Sequence, residues 1–152
     1  MSTDKRSIVI KEKQFTWSGV ERKDYKTDTD NFKDIHRYTL LGDEHPELNT
    51  QTRYFEIQPG GYSSLEYHRH PHSVVIIRGR GHVILNNELR EISAFDAIYV
   101  APNTIHQFHA DEDEPLGFIC VVDRYRDRPE IPSDEQISRL IESEKVLDKI
   151  RK

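Results

Sequence analysis

Residues 66–81 read EYHRHPHSVVIIRGRG. One carboxylate and three of the chain's eight histidines fall in the first seven positions, and an apolar run and two glycines follow at once. In an extended strand, residues two apart share a face, so Glu66, His68, His70 and His72 would line one side of a straight strand. Pro71 argues against that strand, because it cannot donate to a ladder and it biases His70 toward extended or turn backbone. The spacing therefore predicts a strand ending near His68, a turn over 69–71 and a new strand beginning near His72. Val74 and Ile76 then continue the inner face of that second strand.

Working outward, the same punctuation recurs. TRYFEIQ (52–58) alternates and ends at PGGYSS, a turn signal. GHVIL (81–85), ELREI (88–92), DAIYVA (96–101), HQFHA (106–110) and GFICVVD (117–123) follow, each bounded by Gly, Pro, Asn or Asp. Asn86 and Asn87 sit between two of these runs, and asparagine tolerates the positive φ that a two-residue hairpin requires. Short strands with turn chemistry between them predict an antiparallel sandwich or small barrel. Upstream, SIVIK (7–11) and IHRYTLL (35–41) read as short strands, and YKTDTDNFKD (25–34) and LGDEHPELNTQ (41–51) as polar loops. Downstream, Ser133 and Gln136 form a capping-box pattern before Ile137, Leu140, Ile141 and Leu147, so a closing helix is expected over 134–150. The expected organisation is N-terminal strands and loops packing on the barrel over 1–50, the barrel core over 51–124, and a connector with the C-terminal helix over 125–152.

Composition narrows the function. The 152 residues are 35% hydrophobic and 32% charged, with a formal charge of -5. No basic stripe is visible, which argues against a nucleic-acid partner. The lone cysteine, Cys120, has no internal disulfide partner, which suits a reducing compartment. Its apolar surroundings predict a core-filling thiol. No apolar run reaches signal-peptide or membrane-span length, so a cytoplasmic protein without a membrane partner is expected.

The histidines suggest a metal. Glu66 and His68 come from one strand, His72 from its neighbour, and His70 lies at the turn. A fourth group, His106, re-enters the sheet just after the turn-forming APNT (101–104). Three imidazoles and one carboxylate suit iron, manganese, nickel, cobalt, copper or zinc on ligand type alone. Tyr62, Arg53 and Tyr99 are candidates for the barrel mouth, and strand parity leaves their facing open; His70 is a candidate to support a ligand, to face substrate, or to ligate in place of Glu66. His82 and His109 read as surface strand residues.

The stretch from Gln58 to Val122 resembles the cupin superfamily. The family's first motif, G(x)5HxH(x)3-4E(x)6G, falls on Gly60, Glu66, His68, His72 and Gly79. Every spacing fits, while Glu stands at the first His position and His at the Glu position. A register starting at His68 and His70 would put a valine in the carboxylate slot. The second motif, G(x)5PxG(x)2H(x)3N, falls on Phe95 to Ala110: His106 keeps its histidine and Asp96 and Pro102 fit its common GD…P variation, while Phe95, Ala101, Asn103 and Ala110 replace the usual Gly, Pro, Gly and Asn. The resemblance implies an all-β fold, a double-stranded β-helix or jelly-roll barrel, here closed by a C-terminal helix. It also implies one divalent transition-metal ion per chain on Glu66, His68, His72 and His106. Two open positions on such an ion would bind a small polar or acidic substrate. Dioxygenase, decarboxylase, isomerase and lyase chemistries are all carried on this barrel. The alternative is a non-catalytic metal- or ligand-binding module. The runs VVII and ICVV are apolar on both faces, so their outer face is expected against the N-terminal segment, the C-terminal helix or a second copy; the family habit of pairing sheets implies a homodimer.

Overall fold

A computed structural model of the chain describes residues 6–24 and 33–152. The strands among the described residues are β1 (Glu12–Lys13), β2 (Thr16–Trp17), β3 (Lys23–Asp24), β4 (Lys33–Leu41), β5 (Thr50–Tyr62), β6 (His72–Arg78), β7 (Arg80–Leu85), β8 (Glu88–Ser93), β9 (Ala97–Val100), β10 (His106–Ala110) and β11 (Leu116–Asp123). Two short helices follow, α1 (Asp134–Leu140) and α2 (Glu144–Lys149).

The large sheet is antiparallel and runs β8-β7-β10-β5-β11-β6-β9, with β4 added beside β5 and β3 beside β4. β5 serves both halves. Its Thr50–Ile57 stretch pairs with β11, and past Pro59, Gly60 and Gly61 its end at Tyr62 pairs with His109 of β10. Gly60 takes φ +75 there, a left-handed bend that glycine adopts without a side-chain clash. The sheet thereby curls on itself and encloses the side chains of its concave face. Phe118 stacks between Phe55 at 5.5 Å and Phe108 at 4.6 Å, tying the two halves together across the interior. Each such aromatic pair contributes about 0.5–1.5 kcal/mol beyond its buried area.

The turn predicted at Pro71 is present, and β6 begins at His72. Along β6 the burial alternates, with His72, Val74 and Ile76 inside and Ser73 and Val75 outside. The Asn86–Asn87 hairpin joins β7 to β8 with Asn86 at φ +52. In the second motif, Phe95 and Asn103 stand where glycine is usual, and both keep the left-handed backbone at φ +78 and +63.

The outer faces differ. Phe15 and Trp17 cover Tyr54, and Trp17 also packs on Tyr38. The other half is covered by the C-terminus, where Ile137, Ile141 and Val146 pack on Leu65, Ile84 and Ile105. The outer face of β6 and β9 stays open, with Val75 40% and Tyr99 68% exposed.

Several expectations need correction. The single helix over 134–150 is two helices, because the Asn87 side chain accepts from the backbone N–H groups of Glu142 and Ser143 and pulls that segment out of the ladder. Ser143 then caps the second helix, as Ser133 caps the first in a capping box with Gln136. Leu140 and Leu147 consequently face outward, and Val146 is the buried residue of α2. SIVIK forms no strand, and its Ile8 and Val9 are exposed. The polar loop expected over 25–34 falls mostly outside the described residues. No described helix is long and apolar enough to cross a membrane.

Candidate metal centre and pocket

β6 presents His72 inward from its first position, and β10 presents His106 from its own. The segment between β5 and β6 supplies the rest: Glu66 bridges to His106 through reciprocal backbone hydrogen bonds, which fixes Glu66 beside that histidine. The Asn103 N–H donates to the His68 carbonyl and anchors the next turn. One ligating atom from each of Glu66, His68, His72 and His106 lies within 4.8 Å of all the others. The three imidazoles stand nearly perpendicular to one another, with ring centroids 4.6–5.2 Å apart.

Hydrogen bonds on the far side of each ring set the lone pairs. His68 Nδ1–H donates to the His70 carbonyl at 2.6 Å and His106 Nδ1–H to the Thr104 carbonyl at 2.8 Å. Both Nε2 atoms are then acceptors, each 3.9 Å from Glu66 Oε1. His68 Nε2 is buried and has no hydrogen-bond partner, an atom whose desolvation only a ligand would offset. Burial pushes the His68 imidazole below its ordinary pKa. It lowers His106 to about 4 and, with the neighbouring histidines adding to it, His72 to about 2. The rings are therefore neutral near pH 7, the form that binds metal. Burial raises the Glu66 carboxyl, opposed by the Ser64 hydroxyl, which donates at 2.9 Å, and by the charge of Arg53. A cluster of this kind suits a divalent ion, which supplies the positive charge that holds Glu66 ionised.

The cluster opens onto a cavity of about 320 Å³. Its walls carry Arg37, Arg53, Ser64, His70, Cys120 and Arg126 around an apolar lining that includes Phe108 and Phe118. His70 stacks on His68 at 3.7 Å and donates from Nδ1 to Asp127 Oδ1 at 2.9 Å, so it braces the cluster and faces the cavity. Arg53 lies in the wall. Tyr62 and Tyr99 do not: Tyr62 packs beside His109, and Tyr99 pairs with Ser73 on the outer side of the sheet. His109 is buried, its Nε2 on Gln107 Oε1, beneath the C-terminal segment rather than at the surface.

Cys120 is the functional candidate that composition concealed. It is buried, as a core thiol would be, but it is part of the cavity wall. Cys120 lies opposite Arg53 on β5 and Val74 on β6, all facing inward. Its sulfur is 3.2 Å from His72 Nδ1 and 3.5 Å from Arg53 Nη2. Burial raises its pKa, and the Arg53 charge opposes that rise. The signal in the sequence was parity: within GFICVVD, Phe118, Cys120 and Val122 share the inner face.

A cupin-domain family model matches residues 53–122. A curated relative from Rhodospirillum rubrum, 1-methylthio-D-xylulose 5-phosphate methylsulfurylase, is 35% identical over 91% of this chain and 88% of its own. A cupin 2 conserved barrel domain protein from Rhodopseudomonas palustris superposes with a TM-score of 0.84 at 39% identity, covering 90% of this chain and 93% of that one. A cupin 2 domain-containing protein from Halorhodospira halophila gives 0.75 at 35% identity, covering 94% of both. The chain belongs to the cupin family.

Proposed function

We propose that this cupin is a methylsulfurylase: it removes the methylthio group from a 1-methylthio-ketose 5-phosphate. Glu66, His68, His72 and His106 hold one divalent ion, and Cys120 accepts the sulfur group. The observation that carries the reading is a thiol held against the metal-type cluster, 3.2 Å from His72 Nδ1, in a cavity sized for a small phosphosugar. The name of the Rhodospirillum rubrum relative supplies the substrate.

The chemistry needs a thiolate. With its Nε2 lone pair turned to the cluster, His72 keeps its hydrogen on Nδ1 and donates it to Sγ. Arg53 donates to the same sulfur. Both donors favour the ionised thiol against the penalty of burial, and its proton leaves to solvent. The thiolate attacks the methylthio sulfur, so an S–S bond forms and the C1–S bond breaks. The bonding pair becomes the enolate of the C1–C2 unit, whose charge rests on the ketone oxygen. A bound divalent ion would supply Lewis acidity toward such an oxygen. Protonation at C1 gives the 1-deoxyketose phosphate and leaves Cys120 as a methyl disulfide. One thiol from solution then attacks the methylthio sulfur of that disulfide, which restores Cys120 and releases the mixed disulfide; a second thiol converts the mixed disulfide to methanethiol and is itself oxidised to its disulfide. The apolar wall around Phe108 and Phe118 excludes water from the enolate.

The test is incubation of the metal-loaded protein with 1-methylthio-D-xylulose 5-phosphate, with and without added thiol. Without thiol, intact-mass spectrometry should find one methylthio group in place of hydrogen on Cys120, together with one equivalent of the 1-deoxyketose phosphate. Cys120→Ser should retain metal and fold but release no product. Full turnover by that variant, or no product from the wild type with any of the six ions, would defeat the proposal. The homodimer and the cytoplasmic setting expected from the sequence remain part of this reading, with light scattering at micromolar concentration as the check on the first.

A further inference from the structure

The Cys120 thiol lies on a seam between a polar and an apolar side of the cavity. On the polar side are His72 Nδ1 at 3.2 Å and Arg53 Nη2 at 3.5 Å. On the other side, Val74 stands directly opposite Cys120 across the β6–β11 pair. Phe118, two residues before Cys120, shares its inner face, and Phe108 stacked on Phe118 continues the wall. Directly opposed Cβ atoms in an antiparallel pair are about 4.5–5.5 Å apart, so Val74 is within reach of any group bonded to the sulfur.

The apolar wall is stiff. Val74, Phe108 and Phe118 are all buried, and all three line the cavity. Phe118 is held between the rings of Phe55 and Phe108, so it cannot swing aside without losing one of those stacks. Val74 is β-branched, with few rotamers open to it, and its strand is paired on both sides, by β11 and by β9. A wall packed in this way resists even one added methylene.

Displacement at a divalent sulfur needs the attacking sulfur, the central sulfur and the leaving carbon in line. The alkyl group on the central sulfur then stands off to one side of that axis, close to Cys120 Sγ. His72 and the metal-type cluster flank the thiol on its polar side, where the ketone oxygen belongs, so the alkyl group takes the other side. We propose that Val74, Phe108 and Phe118 form a subsite for the S-alkyl group of the substrate, sized to methyl, and that they select the substrate by that group. The subsite deepens the function proposed above, on which it rests for the identity of the sugar that carries the sulfur. A methyl lies against hydrocarbon there and desolvates no polar side chain. An ethyl or larger group meets walls that are held in place.

Methyl and ethyl methanethiosulfonate test the subsite without the sugar. The Cys120 thiolate attacks their alkylthio sulfur, an S–S bond to the protein forms, and methanesulfinate leaves with the bonding pair. Cys120 is the chain's one cysteine, so intact-mass spectrometry reads this site alone. With tag-free protein as purified, the methyl-to-ethyl rate ratio should exceed that of free cysteine by at least about tenfold, the lower end of what one methylene is worth in a hydrophobic pocket. The ionised fraction of the thiol cancels in that ratio. Val74→Ala, shown by thermal unfolding to be folded, should bring the ratio back to near that of free cysteine. Val74→Ile should slow the methyl reagent as well, which unfolding would not mimic, because an exposed thiol reacts faster. A wild-type ratio equal to that of free cysteine, or a wild type inert to both reagents, would overturn the subsite. So would a Val74→Ala ratio that stays at the wild-type value, or a methyl rate unchanged in Val74→Ile. Discrimination between the reagents without transfer from the methylthio sugar phosphate would leave the subsite standing and remove the methylsulfurylase reading. Equal transfer from the 1-methylthio and 1-ethylthio ketose phosphates would do the reverse.

Discussion

His68→Leu separates the metal's contribution to stability from that of packing. His68 is 3% exposed, and its two nitrogens act in opposite directions. In metal-free protein, Nε2 is a buried atom without a partner, and replacing it with carbon relieves about 1–3 kcal/mol. The same substitution removes the Nδ1–H bond to the His70 carbonyl and strands that oxygen, at a cost of similar size. The net change without metal should stay within about 1 kcal/mol. With metal the balance breaks. An ion at a hundredfold excess over its dissociation constant stabilises the wild type by about 2.7 kcal/mol. For 152 residues, with an unfolding entropy of ~2.1 cal/mol/K each, that is a rise in Tm of about 8 °C. The leucine variant should lose most of that rise while its metal-free Tm barely moves. The assay is thermal unfolding of tag-free protein with EDTA and with each of Mn, Fe(II), Co, Ni, Cu and Zn, using His82→Ala as the control. A wild-type Tm indifferent to all six ions, or a leucine variant with the full wild-type response, would refute the reasoning.

Two further outcomes follow from the fold. His109 has its pKa lowered to about 3 by burial first, with Lys149 and Arg151 adding to it. Because the unfolded histidine takes its proton near 6.5, its neutral burial supports the fold fully above that pH and progressively less as pH falls toward 3. Between pH 7 and 5 the wild type should therefore lose about 2 kcal/mol more stability than His109→Gln, read from urea unfolding at both pH values, and parallel losses would exclude the effect. At Gly117 an added Cβ would collide with the Tyr54 hydroxyl and come within 2.9 Å of Arg78 Cβ. Gly117→Ala should cost about 1–3 kcal/mol in chemical denaturation through this overpacking, and an unchanged midpoint would show that Tyr54 yields freely.

The sequence alone determined the elements whose signal is local. Pro71 breaks the histidine strand, Asn86 turns the hairpin, and Ser133 with Gln136 starts the helix, because each acts through its own backbone or a neighbour a few residues away. The motif spacing also brought Glu66, His68, His72 and His106 forward together, since glycines and strand lengths fix the register between them. What the tertiary structure decided depends on partners distant in the chain. Asn87 splits the C-terminal helix from more than fifty residues away, and the C-terminal segment buries His109. The facing of Tyr62 and Tyr99 was set by pairing register, which strand parity by itself left open. The inward thiol of Cys120 acquired a chemical setting only when β5 and β6 placed Arg53 and His72 beside it, from 67 and 48 positions upstream. Periodicity reports which face a side chain takes, but the groups waiting on that face are supplied by strands the local pattern does not contain.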